Sequence, residues 1–71
     1  MAKKQSLSGV LREARLQRGL TLQDVGEAVG VTGSAVSHWE AGANQPRNDN
    51  LTAICKVLRL PIRAIREIVA R

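Results

Sequence analysis

Few residues in this 71-residue chain could do chemistry. There is one histidine, His38, and one cysteine, Cys55. Five of the six carboxylates, Asp24, Glu27, Glu40, Asp49 and Glu67, fall singly, at places that read as helix faces or helix starts. A metal centre needs several His, Cys or carboxylate ligands together, and a nucleophile needs a base beside it. No such constellation is spaced here, so no catalytic residue, metal or cofactor is expected. Hydrogen-bonding capacity, by contrast, gathers in one short stretch: Thr32, Gly33, Ser34, Ser37 and His38. Hydroxyls donate or accept, and an imidazole does either according to its tautomer. Such groups suit the reading of a polar surface better than the transformation of a substrate.

Those residues are useful only if a rigid element presents them. Helical periodicity dominates from Ser6 onward, and strand-like alternation is absent. A first helix begins near Ser6 or Ser8, carries Leu7, Leu11 and Ala14 on one face, and ends at Gly19. Thr21 caps a second, with Asp24 completing a variant capping box. Val25, Ala28 and Val29 form its expected inward face, and Gly30 stops it. Thr32 caps a third, running to Trp39 or Ala41, with Val36 and Trp39 inward and Gly42 closing it. After the loop Ala43-Asn44-Gln45-Pro46, Asn48 or Asp49 is expected to cap a fourth helix. Its face is Leu51, Ile54, Cys55 and Leu58. Pro61 opens a last helix, Pro61 to Arg71, with Ile62, Ile65, Ile68 and Val69 on its apolar side.

The second and third helices are joined by Gly30-Val31-Thr32 alone. A short glycine-containing turn joins the helices of a helix-turn-helix at a steep angle. That crossing needs a small residue where the helices approach, which Gly26 provides, and a positive φ in the turn, which Gly30 supplies. Val25, Val29, Val31, Val36 and Trp39 complete the small core beneath it.

The segment Thr21 to Gly42, TLQDVGEAVGVTGSAVSHWEAG, resembles the helix-turn-helix of the lambda-repressor and Cro family of phage and bacterial regulators. Leu11, Arg15 and Gly19 match its first-helix positions, and the resemblance extends from Leu7 to about Ile65. It implies an all-α, five-helix DNA-binding domain: residues 1–5 a free basic arm, residues 6–71 the folded domain, residues 21–42 the helix-turn-helix. It also implies double-stranded DNA as partner, a homodimer on a two-fold operator, and a transcriptional, repressor-like role. Arg15 and Glu40 match a family ion pair tying the first and third helices, with phosphate contact by Arg15 as a secondary role.

In this arrangement the third helix offers its outward residues to the major groove. Ser34 and His38 are the expected base readers, followed by Ser37, with Gly33 permitting close backbone approach. Arg, Asn and Gln, the strongest bidentate readers, are missing from this set, so specificity per half-site should be moderate and helped by DNA shape. Expected phosphate contacts come from the helix starts at Thr21 and Thr32, and from Gln23, Asn44, Gln45, Arg47 and the Lys3-Lys4 arm. Two positions depart from the family: Leu22 stands where a phosphate-contacting Gln is common, and the loop before Pro46 carries no Lys or Arg.

The bulk composition agrees. Apolar residues make up 44% and the formal net charge is +5, which favours a polyanionic partner on a small folded domain. A single cysteine fits a reducing cytoplasm. No apolar run is long enough to span a membrane, and residues 1–6 lack the apolar stretch of a secretory signal. Ile65, Ile68 and Val69 on the last helix are expected to form a dimer interface. The competing function is an antitoxin- or adaptor-type module that keeps the fold and binds a protein through that helix. The chain could also be the N-terminal domain of a longer repressor.

Overall fold

The computed structural model describes residues 6–70, so the Lys3-Lys4 arm and Arg71 lie outside the described residues. Among the described residues there are five helices: α1 (Leu7–Gln17), α2 (Leu22–Val29), α3 (Gly33–Ala41), α4 (Asn48–Leu58) and α5 (Ile62–Ala70). Among the described residues there is no strand.

Local chemistry explains most boundaries. The Ser6 side chain accepts from the Gly9 N–H at 3.2 Å and starts α1. Thr21 starts α2 with both bonds of a capping box: its hydroxyl accepts from Asp24 N–H at 3.0 Å, and Asp24 accepts from Thr21 N–H at 2.9 Å. Thr32 caps α3 by accepting from Ala35 N–H at 3.1 Å. The first four helices all end in the same way. A residue with positive φ follows the helix, and the next N–H turns back to a carbonyl in the last turn: Leu20 to Arg15, Val31 to Gly26, Ala43 to His38 and Leu60 to Cys55. Gly19, Gly30 and Gly42 take this conformation without a steric penalty; at the end of α4 it is Arg59, with φ 55°.

Three expectations shift. Ala28 is exposed rather than inward, because Gly26 takes the place on α2 that faces α3. Neither Asn48 nor Asp49 caps α4; Arg47 stands at the cap position without a side-chain cap bond, and Asp49 lies in the first turn, where its charge suits the helix dipole. Pro61 precedes α5 instead of opening it, and its carbonyl accepts the first helical bond from Ile65 N–H at 3.1 Å.

The core is built from every helix. Leu7 and Leu11, Val25, Val36 and Trp39, Leu51, Ile54, Cys55 and Leu58, and Ile65 are buried in one cluster. With no Phe or Tyr in the chain, branched aliphatics and the single Trp must fill it. α3 is held between α2 and α1, while α5 packs against α1 and α4. The core therefore fixes one side of α3 and leaves its other side to solvent.

Candidate nucleic-acid interface

The crossing of α2 and α3 is set by two glycines. A Cβ on Gly26 would lie 2.8 Å from the Val31 carbonyl oxygen and 2.9 Å from the Gly33 nitrogen, so no larger residue fits. Gly33 completes the contact from the other side. Its Cβ would stand 3.2 Å from the Gln23 nitrogen and 3.3 Å from the Gln23 Cα. The Cβ direction of Gly33 is turned to the first turn of α2, so its small size serves helix packing there.

The orientation of α3 is held from its far end as well. Arg15 Nε donates to Glu40 Oε2 at 2.7 Å and Nη2 donates to Oε1 at 3.0 Å, a bidentate pair. Arg15 Nη1 donates to the Leu20 carbonyl at 2.9 Å. One guanidinium thus ties α1, α3 and the chain just ahead of α2. The Arg15 and Glu40 side chains are only 12% and 8% exposed. Hydrogen bonding to Glu40 raises the Arg15 pKa further, against a smaller opposing effect of burial. With three of its five N–H donors engaged inside the fold and its side chain only 12% exposed, Arg15 serves as a positioning residue rather than a phosphate contact.

On the outward side of α3, Ser34 and His38 are exposed and separated by one helical turn. Ser37 is half-buried at their edge. Trp39 and Val36 point the other way, 6% and 0% exposed, which makes Trp39 a core anchor. Thr21, Gln23, Thr32, Asn44, Gln45 and Arg47 are all exposed. The hydroxyls of Thr21 and Thr32 are occupied as caps, so the first backbone N–H groups of α2 and α3 are what these starts can offer an anion. Gln23 Nε2 leans toward Glu27 at 3.4 Å, a long contact that a phosphate could displace. From Gly19 to Pro46 there is no Lys or Arg.

This arrangement has close relatives. The helix-turn-helix family model matches residues 11–65. The chain belongs to the lambda-repressor/Cro-like helix-turn-helix family. The transcriptional regulator ClgR of Mycobacterium tuberculosis is 38% identical over 56 residues, 79% of this chain. The chain spans about half (50%) of the length of that curated relative. The P22 c2 repressor in complex with a synthetic operator superposes with a TM-score of 0.82 at 28% identity, covering 86% of this chain and 92% of that one. PlcR of Bacillus thuringiensis, in complex with the peptide PapR7 and DNA, gives 0.82 at 33% identity, covering 99% of this chain and 24% of that one. The all-α fold and the helix-turn-helix expected from the sequence are thus those of the family.

On the last helix the expected dimer residues divide. Ile65 is 2% exposed and buried in the chain's own core, so it is not available to a second copy. Ile68 and Val69 are half-buried and keep some apolar surface toward solvent. Sequence patterns had no signal for the bond from Arg18 Nε to the Leu58 carbonyl at 3.0 Å, which joins the end of α1 to the end of α4 across forty positions.

Proposed function

We propose that this helix-turn-helix domain binds double-stranded DNA sequence-specifically and serves a phage or bacterial transcriptional regulator of the repressor type. The observation that carries the proposal is the division of α3. Val36 and Trp39 lock one face into the core, and Ser34 and His38 stand exposed on the other. A helix fixed on one side and polar on the other is what the major groove accepts. Ser34 and His38 read base edges, with Ser37 at the margin. Phosphates are met by the starts of α2 and α3 and by Gln23, Asn44, Gln45 and Arg47, with Lys3 and Lys4 adding to them. The domain acts as a homodimer, formed on DNA through Ile68 and Val69, so that two copies of α3 lie about 34 Å apart on a two-fold operator. It works in the cytoplasm, at the nucleoid; among the described residues no helix is long and apolar enough to cross a membrane.

The mode of binding is tested by methylation protection. Guanine N7 lies in the major groove, so protected guanines should fall in two patches about one helical turn apart. Binding that leaves every guanine N7 reactive would show that α3 does not enter the groove.

A further inference from the structure

The link between α4 and α5 is only Arg59-Leu60-Pro61. Two of these residues have little torsional freedom. The Pro61 ring locks its own φ, and a residue that precedes proline is held to extended conformations, which restricts Leu60. The direction in which α5 leaves α4 is therefore decided at Arg59. That residue sits at φ 55° and ψ 44°, in the left-handed region that disfavours any side chain with a Cβ. A different well at Arg59 would send α5 elsewhere. Core packing pins α5 chiefly at Ile65, its one buried residue, and leaves the direction to the link.

Two bonds hold the Arg59 turn. Leu60 N–H donates to the Cys55 carbonyl at 2.8 Å, as Leu20, Val31 and Ala43 do at the ends of the earlier helices. The second bond has no counterpart there. Arg18 Nε donates at 3.0 Å to the Leu58 carbonyl, on the very peptide that joins Leu58 to Arg59. The matching carbonyls ahead of Gly19, Gly30 and Gly42 belong to Arg18, Val29 and Ala41, and among the described residues none of them receives a side-chain donor. The one left-handed turn made without glycine is thus the one given an outside donor.

Arg18 has a firm base for this. It is the C-cap of α1, and its N–H bonds to the Ala14 and Arg15 carbonyls at 3.3 and 3.2 Å. From the same turn of α1, Arg15 reaches Glu40 on α3. The end of α1 therefore holds α3 through one arginine and the root of the α5 link through another. A cation is favourable near any helix C-terminus. Its placement on the carbonyl that precedes the strained residue is what points beyond that general effect.

We propose that Arg18 is a positioning residue for α5: it holds the left-handed turn at Arg59 and so keeps Ile68 and Val69 in one orientation relative to α3. In a dimer through those residues, that orientation sets the separation of the two copies of α3. The holding role stands on the geometry above, and its effect on operator spacing rests on the dimer reading.

A cycle of variants, followed by amide hydrogen exchange, tests the holding role without DNA. R18M should speed exchange of the α5 amides by about tenfold, and that of α2 and α3 by less than about twofold. R59G permits the left-handed turn without strain, so it should cut the effect of R18M on α5 to about threefold or less. R59A removes the charge and keeps a Cβ, and should leave the effect in full. An effect spread equally over all helices, unchanged by R59G, or relieved as well by R59A overturns the proposal. Should R18M not fold, recovery in R18M/R59G without recovery in R18M/R59A supports it, and any other pattern overturns it. On DNA, wild type should favour the selected half-site spacing over one a base pair longer or shorter by about tenfold, and R18M by about threefold or less. Its affinity for an isolated half-site should stay within about twofold of wild type. A spacing preference unchanged in R18M overturns the effect on spacing. A wild type without spacing preference removes the dimer reading alone, and the exchange cycle then decides the holding role.

Discussion

A methyl group on Gly26 would sit 2.8 Å from the carbonyl oxygen of Val31, inside the van der Waals limit. The neighbours it meets are all backbone atoms of the Val31–Gly33 turn, so no side-chain rotation can relieve the clash. Gly26→Ala should therefore move α3 relative to α2. The expected cost is about 1–3 kcal/mol of stability. DNA affinity should fall by more than the loss of folded protein explains. Thermal unfolding with DNA titration at low temperature checks this, and an undiminished affinity would show that the close crossing is dispensable.

The Arg15–Glu40 pair should behave as a buried ion pair. Arg15→Met leaves the Glu40 carboxylate, 8% exposed, without its partner, and should cost about 3–5 kcal/mol. Replacing both, as R15M/E40M, should cost less than R15M alone, because no charge is stranded. Denaturant titration of the single and double variants measures the difference. Additive losses would mean that the two groups are not coupled.

His38 and Arg47 should fail in different ways. His38→Ala should weaken binding to the preferred site by about 1–3 kcal/mol and leave random DNA nearly unaffected. Arg47→Ala should weaken all sequences alike and reduce the salt slope by about one unit. Titrations on the two duplexes at several salt concentrations distinguish them. Equal losses on both duplexes would remove His38 from the readers, and an unchanged slope would remove Arg47 from the phosphate contacts.

Asp24 gives the α2 cap a pH dependence of known sign. Hydrogen bonds from the Thr21 backbone, and then from its side chain, hold the Asp24 carboxyl below its usual pKa. A lowered folded-state pKa adds stability above the unfolded value, and that stability is lost as pH falls through the folded one. Melting temperature should thus drop as pH falls below about 4, and Asp24→Asn should flatten part of that drop. An identical acid limb in the variant would show that the cap does not titrate with folding.

Burial raises the Cys55 thiol above its ordinary pKa, with Arg66 opposing in part. The thiol is free and 3% exposed. Reaction with a disulfide reagent should be slow in the native protein and fast in denaturant. Fast native reaction would mean that α4 and α5 part readily.

Much of this was legible in the residues because local and tertiary demands coincide. Thr21, Thr32, Gly30 and Gly42 are residues whose side chains, or lack of one, dictate helix ends, and Val36 with Trp39 fixes which side of α3 is inward. What was not legible depends on long-range geometry. The packing role of Gly33 emerges only from the crossing, where a Cβ on it would stand 3.2 Å from the Gln23 nitrogen. Ile65 fits the periodicity of an interface and of a core equally well, and burial decides for the core. The left-handed Arg59 leaves no mark in the sequence because arginine is not the residue type that conformation favours, and the Arg18 bond to the Leu58 carbonyl leaves none because its partners lie forty positions apart. The Arg15–Glu40 pair expected from the sequence is present, and with the Leu20 carbonyl it takes three of the five guanidinium donors of a side chain only 12% exposed.

The central claim is that α3 reads DNA as one half of a symmetric pair. Selection from a pool of randomised duplexes, sequenced after binding at two salt concentrations, tests it most directly. A two-fold symmetric motif with half-sites about ten base pairs apart, retained at the higher salt, is the predicted result. Weak binding that yields no motif and vanishes at physiological salt would contradict it, and would leave the helix-turn-helix here as a scaffold for a protein partner.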